Sequence, residues 1–455
     1  MTLLGIVTLV AIAGVWLIRR PWTQLVVGAT VAFPQTAGLV VDGNGFPLFY
    51  LAVLELAVLS APGILLAVAR PRHDGSGAFR FRSDLLAVAL VVWAAVITIA
   101  GPRIFAGMRV FDPALGVDNQ VGNLSVLAPS LGNLAQLGYL TLGVVFLLLS
   151  GRRFPVDTRL LGSALWVSLV LSGLRMVTEP YWPHEQLQNM PGYFYATSER
   201  LSGTFYEPSV LGLYLVAAAC YFGARLFRRS SSRYARLAAV AALALVGIEF
   251  VANGSGTALL GLVIVIAAGA AVLLARQLRS PRFGVSPLAV ILGTGVLAAG
   301  ITQLPALYEL TIGSAERKAS SFSYLARSLA NERSWEIFRE TAGLGVGLGS
   351  HRPSSLFFLV LSCLGIVGTI LFVALVIVAL LAAARDRART PAGWALLGIL
   401  VSGVIAVPDL SMPVIWIGLA ACVVPTVVAS ARPQSQFLLG ASRQVPALEP
   451  TGAVE

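Results

Sequence analysis

Residues 355–384 read SLFFLVLSCLGIVGTILFVALVIVALLAAA, a run in which no side chain carries a charge. An α-helix of about 20 apolar residues crosses the core of a lipid bilayer, so this run is long enough to span one. Inside a bilayer the backbone has to satisfy its own hydrogen bonds, which a helix achieves within a single segment. The stretch therefore predicts a membrane-spanning helix.

The same pattern recurs along the 455-residue chain, of which 57% is hydrophobic and 12% is charged. That balance excludes an ordinary soluble domain. We predict an all-α, polytopic transmembrane helix bundle of about 13 spans, each long enough for a bilayer. The spans are placed at 2–18, 22–41, 47–69, 85–101, 131–150, 160–177, 208–227, 237–252, 255–275, 285–304, 355–384, 393–408 and 412–430.

The main exception lies directly before the quoted run, at residues 305–354. This segment is too polar to be a span, holds the only lysine (Lys318) and ends in the glycine-rich stretch GLGVGLGS at 343–350. We predict one large outward-facing loop here, with a helix in its part 315–340, which has no Pro or Gly. The chain then divides into spans 1–10 (1–304), the loop (305–354), spans 11–13 (355–430) and a disordered cytoplasmic tail (431–455).

Arginine placement predicts the orientation. If the spans alternate, most of the 32 basic residues fall on one side, in the short links near 19–20, 70–84, 151–159, 228–236, 276–284 and 385–392 and in the tail. Links rich in Lys and Arg stay in the cytoplasm, so the N-terminus and the long loop are expected outside and the C-terminus inside. The net charge of +11 is thus a sign of topology and does not predict nucleic-acid binding. The three cysteines have no metal-site spacing.

One short outward segment has the composition of a site. Residues 200–209 read RLSGTFYEPS and lead directly into an apolar helix. Pro208 suits the first helical turn, which places Glu207 beside the helix N-terminus, where negative charge is favoured. Arg200 and Glu207 could hold an anionic lipid head group and supply a general base. The alternative is a capping carboxylate with an interfacial arginine.

The long loop carries further candidates. Its guanidinium groups could join Arg200 around a phosphate or diphosphate, which arginine binds through paired hydrogen bonds; they are Arg317, Arg327, Arg333, Arg339 and Arg352. The other interpretation is an amphipathic helix with solvated ion pairs. The glycines at 343–349 predict either an anion-binding nest or a re-entry turn. His351 is a second acid–base candidate, because histidine titrates near neutral pH.

Three stretches resemble the O-antigen polymerase/ligase (Wzy-type) family of GT-C-like polysaccharide polymerases. They are RLSGTFYEPSVLGLY from Arg200, GSGTALLG from Gly254, and Arg333-Ser-Trp335 followed by the glycine run and LSCLGIVG from Leu361. The resemblance covers about residues 200–370; elsewhere only the hydropathy agrees.

The resemblance implies a metal- and cofactor-independent glycosyltransferase in the bacterial inner membrane. It would take a glycan from undecaprenyl diphosphate and transfer it to an acceptor glycan at the periplasmic face, with a chain-length regulator as a further partner. The resemblance implies diphosphate binding by Arg200 and Arg333. Glu207 is the first candidate for the base and His351 the second.

Two differences favour a polymerase of O-antigen or exopolysaccharide over an O-antigen ligase. Ligases of the family often have an arginine where this chain has Gly256, and a histidine where it has residues 353–355. A flippase or transporter of polyprenyl-linked glycans is the alternative from another class. It would be expected to have two related halves, and no internal repeat is evident.

Overall fold

The structure is a computed structural model that describes residues 2–18, 22–34, 37–41, 44–68, 77–114, 117, 120–151, 158–183, 200–228, 232–278, 322–407 and 409–424. These residues are mostly helical, and they include thirteen α-helices. The helices are α1 (Leu3–Ile18), α2 (Trp22–Thr30), α3 (Leu48–Val68), α4 (Gly77–Ile104), α5 (Leu131–Leu149), α6 (Thr158–Thr178), α7 (Pro208–Leu226), α8 (Arg233–Asn253), α9 (Gly256–Leu278), α10 (Phe322–Glu340), α11 (Leu356–Arg385), α12 (Thr390–Ala406) and α13 (Pro413–Val423). The described elements also include a short 3₁₀ helix at Glu179–Tyr181 and two small antiparallel strand pairs, β1 (Leu39–Val41) with β2 (Asn44–Phe46) and β3 (Arg109–Val110) with β4 (Ser125–Val126).

The helices have the character of a membrane bundle. Six are long and apolar enough to cross a bilayer, namely α4 to α8 and α11, and five shorter apolar helices accompany them in the described part of the chain. Val96 on α4, Val251 on α8 and Ile370 on α11 are more than half exposed. Large apolar side chains on the outside suit lipid as the surrounding medium and not water. An all-α membrane fold is thus supported, while the predicted total of about 13 spans is not established.

The prediction of one continuous span over residues 22–41 was wrong. Helix α2 ends at Thr30, and the chain then passes through Pro34 into the hairpin of β1 and β2. Proline has no N–H to continue a helix, and its ring restricts the residue before it. Irregular backbone inside a bilayer bundle is tolerated where it is buried in protein or lines a cavity. A cavity can therefore form at this break.

Contacts at one end of the bundle join links that were predicted to share a side. Arg80 at the start of α4 donates to the carbonyl of Leu147 at 2.6 Å, near the end of α5, and forms an ion pair with Asp84 at 3.1 Å. The guanidinium of Arg385 at the end of α11 lies 4.4 Å from the ring centroid of Phe79. These links contain many of the arginines, so this is the arginine-rich end.

The opposite end gathers the other loops. The backbone N–H of Thr2 donates to Gly38, and the hydroxyl of Tyr50 donates to the carbonyl of Ser411 at 2.7 Å. At the same end, the backbone N–H of Arg352 donates to Phe111 at 2.9 Å. We call it the loop end. Within the long loop, α10 confirms the predicted helix over 322–340, whereas residues 305–321 and the predicted span 285–304 lie outside the described residues.

Candidate functional site

The loop at residues 200–207 is held at both of its ends by Asn253, the last residue of α8. The side-chain amide of Asn253 donates to the carbonyls of Leu201 at 2.6 Å and Pro208 at 2.8 Å. Its own backbone carbonyl accepts a hydrogen bond from Arg200 Nε at 3.1 Å. Asn253 is fully buried, so these bonds are shielded from water. The loop is therefore fixed in shape before α7 begins.

A second buried group fixes the turn within this loop. Arg175 of α6 donates to the hydroxyl of Ser202 at 2.8 Å and to the carbonyl of Gly203, and it pairs with Glu179 at 2.8 Å. Gly203 has φ +60°, a left-handed conformation that favours glycine. These bonds therefore fix the backbone at Ser202 and Gly203.

Glu207 occupies the position that the sequence predicts, as the N-cap of α7 with Pro208 at the first helical position. Its side chain accepts no capping hydrogen bond from the helix backbone; instead, Oε2 accepts a hydrogen bond from the hydroxyl of Ser209 at 3.0 Å. The residue is half-buried, so the carboxylate is not sealed from a substrate. A carboxylate held in this way can accept a proton from a bound hydroxyl group.

Tyr206 connects this loop to the segment after the glycine run. The guanidinium of Arg352 lies near its hydroxyl and acts on it electrostatically. Burial raises the pKa of Tyr206, and the nearby carboxylates of Glu207 and Asp409 raise it further, while Arg352 lowers it. The phenol therefore stays protonated at neutral pH. It lies within electrostatic range of one cation and two anions, which makes it the central residue of the site.

Arg200 and Arg327 form the second cationic part. Burial lowers the pKa of Arg200, and the positive charge of Arg327 lowers it further. Arg327 lies beside the segment that bears Arg352, because Ser354 donates its hydroxyl to the carbonyl of Arg327 at 3.2 Å and its N–H to Asn331 at 3.1 Å. Three of the six predicted arginines thus converge at the loop end.

These three arginines come from the loop before α7, from α10 and from the segment after the glycine run. Arginine presents several N–H donors in a plane and matches the oxygen atoms of phosphate. We therefore call Arg200, Arg327 and Arg352 the arginine cluster, and we consider it the candidate anion site of the protein.

Arg333 does not belong to this cluster, which corrects the sequence-based expectation. It lies about 9 Å along the axis of α10 from Arg327, given 1.5 Å per residue. Its guanidinium donates to Glu336 at 2.7 Å, to Glu340 at 2.8 Å and to the carbonyl of Arg109 at 2.9 Å. Burial opposes its charge, but the hydrogen bonds with Glu340 and Glu336 outweigh that effect and raise its pKa. Arg333 ties α10 to the β3 strand.

Arg339 is not brought to the cluster either. Arg339 is exposed near the C-terminal end of α10, about 18 Å along the helix from Arg327 at 1.5 Å per residue. Arg317 lies outside the described residues.

His351 is buried in a structural position, which does not fit the acid–base role expected from the sequence. Its Nδ1 accepts a hydrogen bond from the N–H of Phe111 at 3.2 Å, and its Nε2 lies 2.8 Å from the hydroxyl of Ser334. Only 1% of the residue is exposed. Burial lowers the pKa of His351 to about 3, with a further contribution from Arg333. Both ring nitrogens are occupied by the protein, so His351 joins two loops and has no route to a substrate.

The glycine run is a re-entry turn and not an anion-binding nest. The N–H groups of Val346 and Gly347 donate to the carbonyls of Ser362 and Cys363 in α11, at 3.0 and 2.8 Å. Gly345 has φ +85°, and a Cβ there would lie 2.7 Å from the Cys363 carbonyl oxygen. The turn thus packs against α11 where that helix is interrupted by non-helical backbone at Gly365. It positions Arg352 and leaves these two N–H groups unavailable to a ligand.

Asp409 belongs to the site, although the sequence did not single it out. Its Oδ1 accepts a hydrogen bond from the N–H of Ser411 at 2.8 Å, and its charge acts on Tyr206. A small, open cleft with a cavity volume of about 30 Å³ lies at this point. It is lined by Phe33, Pro34, Phe205, Tyr206, Val210, Tyr214, Val407, Asp409, Met412 and Pro413. Residues from the break after α2 therefore form one wall of the cleft.

A signal for Asp409 was present in the sequence. It is an acid between two apolar segments, in a link that alternation of the spans places on the same side as residues 200–207. The described residues contain no group of three or more His, Cys, Asp or Glu that could hold a metal ion. Comparison with known proteins adds no family, since no protein-family model and no curated protein matches the chain.

Proposed function

We propose that the protein polymerises oligosaccharide repeats carried on undecaprenyl diphosphate, yielding O-antigen or exopolysaccharide. The observation that carries this proposal is the arginine cluster beside Glu207, at one end of an apolar helix bundle. A diphosphate on a polyprenyl lipid lies at the membrane boundary, and its oxygens suit several guanidinium groups. The resemblance of residues 200–370 to Wzy-type polymerases supports the same substrate.

The chemistry follows from the charges of the site. An acceptor hydroxyl attacks the sugar carbon that carries the diphosphate, so a new C–O bond forms as the old one breaks. Its proton passes to Glu207, and undecaprenyl diphosphate leaves. Negative charge grows on the leaving oxygen, and in this proposal Arg200, Arg327 and Arg352 stabilise it. Ser209 holds the Glu207 carboxylate by its 3.0 Å hydrogen bond.

The proposed location is the cytoplasmic membrane, the inner one in a cell with two membranes. The arginine-rich end would face the cytoplasm, as positively charged links do. The arginine cluster then lies at the periplasmic face, with the N-terminus outside and the C-terminus inside. This orientation requires a donor lipid that has already been moved across the membrane.

The test uses purified protein in liposomes with lipid-linked oligosaccharides extracted from membranes of the producing cell. Glycans longer than one repeat, sized on a gel, are the expected product. Arg327→Ala and Arg352→Ala should abolish them, whereas Arg339→Ala should not. Movement of the lipid across the liposome without elongation would indicate a flippase instead. Transfer of one finished glycan to a second lipid would indicate a ligase.

A further inference from the structure

An acidic side chain lies buried in the helix bundle, one helical turn from the end of α8. Glu249 is fully buried, and neither of its carboxylate oxygens has a hydrogen-bond partner among the residues that the structure describes. Within that part of the chain it forms no ion pair either. A buried charge is costly without a partner, and an acid in a membrane-spanning helix is a candidate for a functional site.

The carboxylate of Glu249 is directed towards α6. Its Oε1 lies 3.3 Å from the position that a Cβ would take on Gly173 of that helix. The neighbouring residue, Ser172, lies near the same carboxylate. Only 1% of Ser172 is exposed, and its hydroxyl has no hydrogen-bond partner in the described ranges. Two buried polar side chains therefore face one another between α6 and α8.

Asn253 adds another oxygen atom. It lies one turn after Glu249, on the same face of α8. Its amide nitrogen donates to the carbonyls of Leu201 and Pro208, which fixes the orientation of the amide. The amide oxygen is buried and accepts no hydrogen bond from any residue that the structure describes. Acceptors therefore outnumber donors among these three side chains, because only Ser172 can still donate.

The position favours a cation. Glu249 lies near the C-terminal end of α8, where the helix dipole is negative and a bare carboxylate is unfavourable. Carboxylate, amide and hydroxyl oxygens are the ligands that hard metal ions prefer. One carboxylate offsets one positive charge, which indicates a monovalent ion. A proton on Glu249 could be shared with only one other acceptor, whereas a metal ion binds several oxygens at once.

We propose that Glu249, together with the neutral oxygens of Ser172 and Asn253, binds a monovalent alkali cation such as Na⁺ or K⁺. The assignment does not rest on the proposed function, because it is argued from buried oxygens alone. The ion would stabilise the loop before α7, since Ser172 Oγ packs directly against Gly203 and Asn253 holds Leu201.

The test measures thermal unfolding by intrinsic fluorescence in NaCl, KCl or N-methyl-D-glucamine chloride, at equal ionic strength. N-methyl-D-glucamine is too large to bind between two packed helices. Na⁺ or K⁺ should raise the melting temperature in a saturable manner, by about 2 °C or more. Glu249→Gln should abolish this difference between salts. Glu55→Gln should retain it, and it is the matched control because Glu55 also has an unpartnered, buried oxygen in an apolar helix, α3.

Two results would overturn the assignment. Equal melting temperatures of the unmodified protein in all three salts would exclude a bound alkali ion. A difference between salts that Glu249→Gln retains would place the ion elsewhere. Should Glu249→Gln not fold, Ser172→Ala keeps the charge and removes one ligand, so it should raise the half-saturating salt concentration about fivefold. An unchanged concentration in Ser172→Ala would count against the site equally.

Discussion

Arg352 acts electrostatically on the phenol of Tyr206, so the loop before α7 lies near the segment that leaves the glycine run. Two carboxylates, Glu207 and Asp409, act on the same phenol. Cationic and anionic groups therefore meet at one tyrosine. A substrate that combines a diphosphate with sugar hydroxyl groups has a complementary distribution of charge.

Anion binding by the arginine cluster can be tested by replacing its arginines one at a time. Replacing Arg327 or Arg352 by Ala should raise the Kd for undecaprenyl diphosphate about tenfold or more, since each removes charged hydrogen bonds. Arg339→Ala is the matched control, because Arg339 lies on the same helix as Arg327 but away from the cluster. Binding is measured by microscale thermophoresis in detergent. An equal loss in the control would mean that net charge, and not the cluster, determines affinity.

Glu207→Gln is expected to lower the rate of elongation by roughly 10²–10⁴, which is the usual contribution of a general base. Binding of undecaprenyl diphosphate should stay near normal. Ser209→Ala serves as the control, since it removes the hydrogen bond to Glu207 and keeps the carboxylate. Single-turnover elongation in liposomes provides the rate. Full activity of Glu207→Gln, together with an inactive Asp409→Asn, would transfer the role of base to Asp409.

His351→Ala should destabilise the protein by about 1–3 kcal/mol, because it leaves the N–H of Phe111 and the hydroxyl of Ser334 without their partner. The folded histidine has its pKa lowered to about 3, so it stays neutral where the unfolded one takes up a proton. Its stabilising effect is full above pH 6.5 and declines as the pH falls from 6.5 towards 3. The difference in melting temperature between pH 7 and pH 5 should therefore be smaller in His351→Ala than in the unmodified protein. Loss of activity in correctly folded His351→Ala would contradict the structural role.

The ion pairs of Arg333 predict a second pH-dependent loss of folding stability, at a lower pH than the loss that His351 causes. The hydrogen bond from Arg333 lowers the pKa of Glu340, so the pair contributes fully above the ordinary pKa of 4.5 and is lost as the pH falls through the lower folded value. Arg333→Ala should decrease thermal stability at pH 7 and leave lipid binding intact. Glu340→Gln should remove part of the acid dependence below pH 4.5. A selective loss of undecaprenyl-diphosphate binding in Arg333→Ala would return Arg333 to the substrate site.

Gly345→Ala should destabilise the fold by about 1–3 kcal/mol, the usual effect of overpacking. The new Cβ would lie 2.7 Å from the Cys363 carbonyl oxygen, in a backbone conformation that alanine rarely adopts. Gly247→Ala in α8 is the control, since nothing lies within 4 Å of a Cβ there, and alanine is the better helix former. Melting temperatures from intrinsic fluorescence distinguish the two. Equal melting temperatures would show that the turn can shift away from α11.

Hydropathy predicted most of the helices, because a bilayer imposes a length and a composition on every segment that crosses it. The hydropathy prediction failed at residues 22–41. The mean hydropathy of this segment is apolar, but Pro34 and the hairpin of β1 and β2 interrupt the helix. The arginines of the long loop show a similar limit. Their number suggested an anion site, but the sequence could not show that Glu336 and Glu340 pair with Arg333 while the charge of Arg327 acts on Arg200.

The sequence by itself determined the all-helical membrane class, the sites of most helices and the position of Glu207 at the start of α7. These are local properties, since helix length, hydropathy and capping depend on neighbours along the chain. Only the tertiary structure decided which charges converge. It sealed His351 between Phe111 and Ser334, separated Arg333 from the arginine cluster and brought Asp409 to Tyr206. Such contacts join residues that are far apart in the sequence, and they depend on how the helices pack against one another.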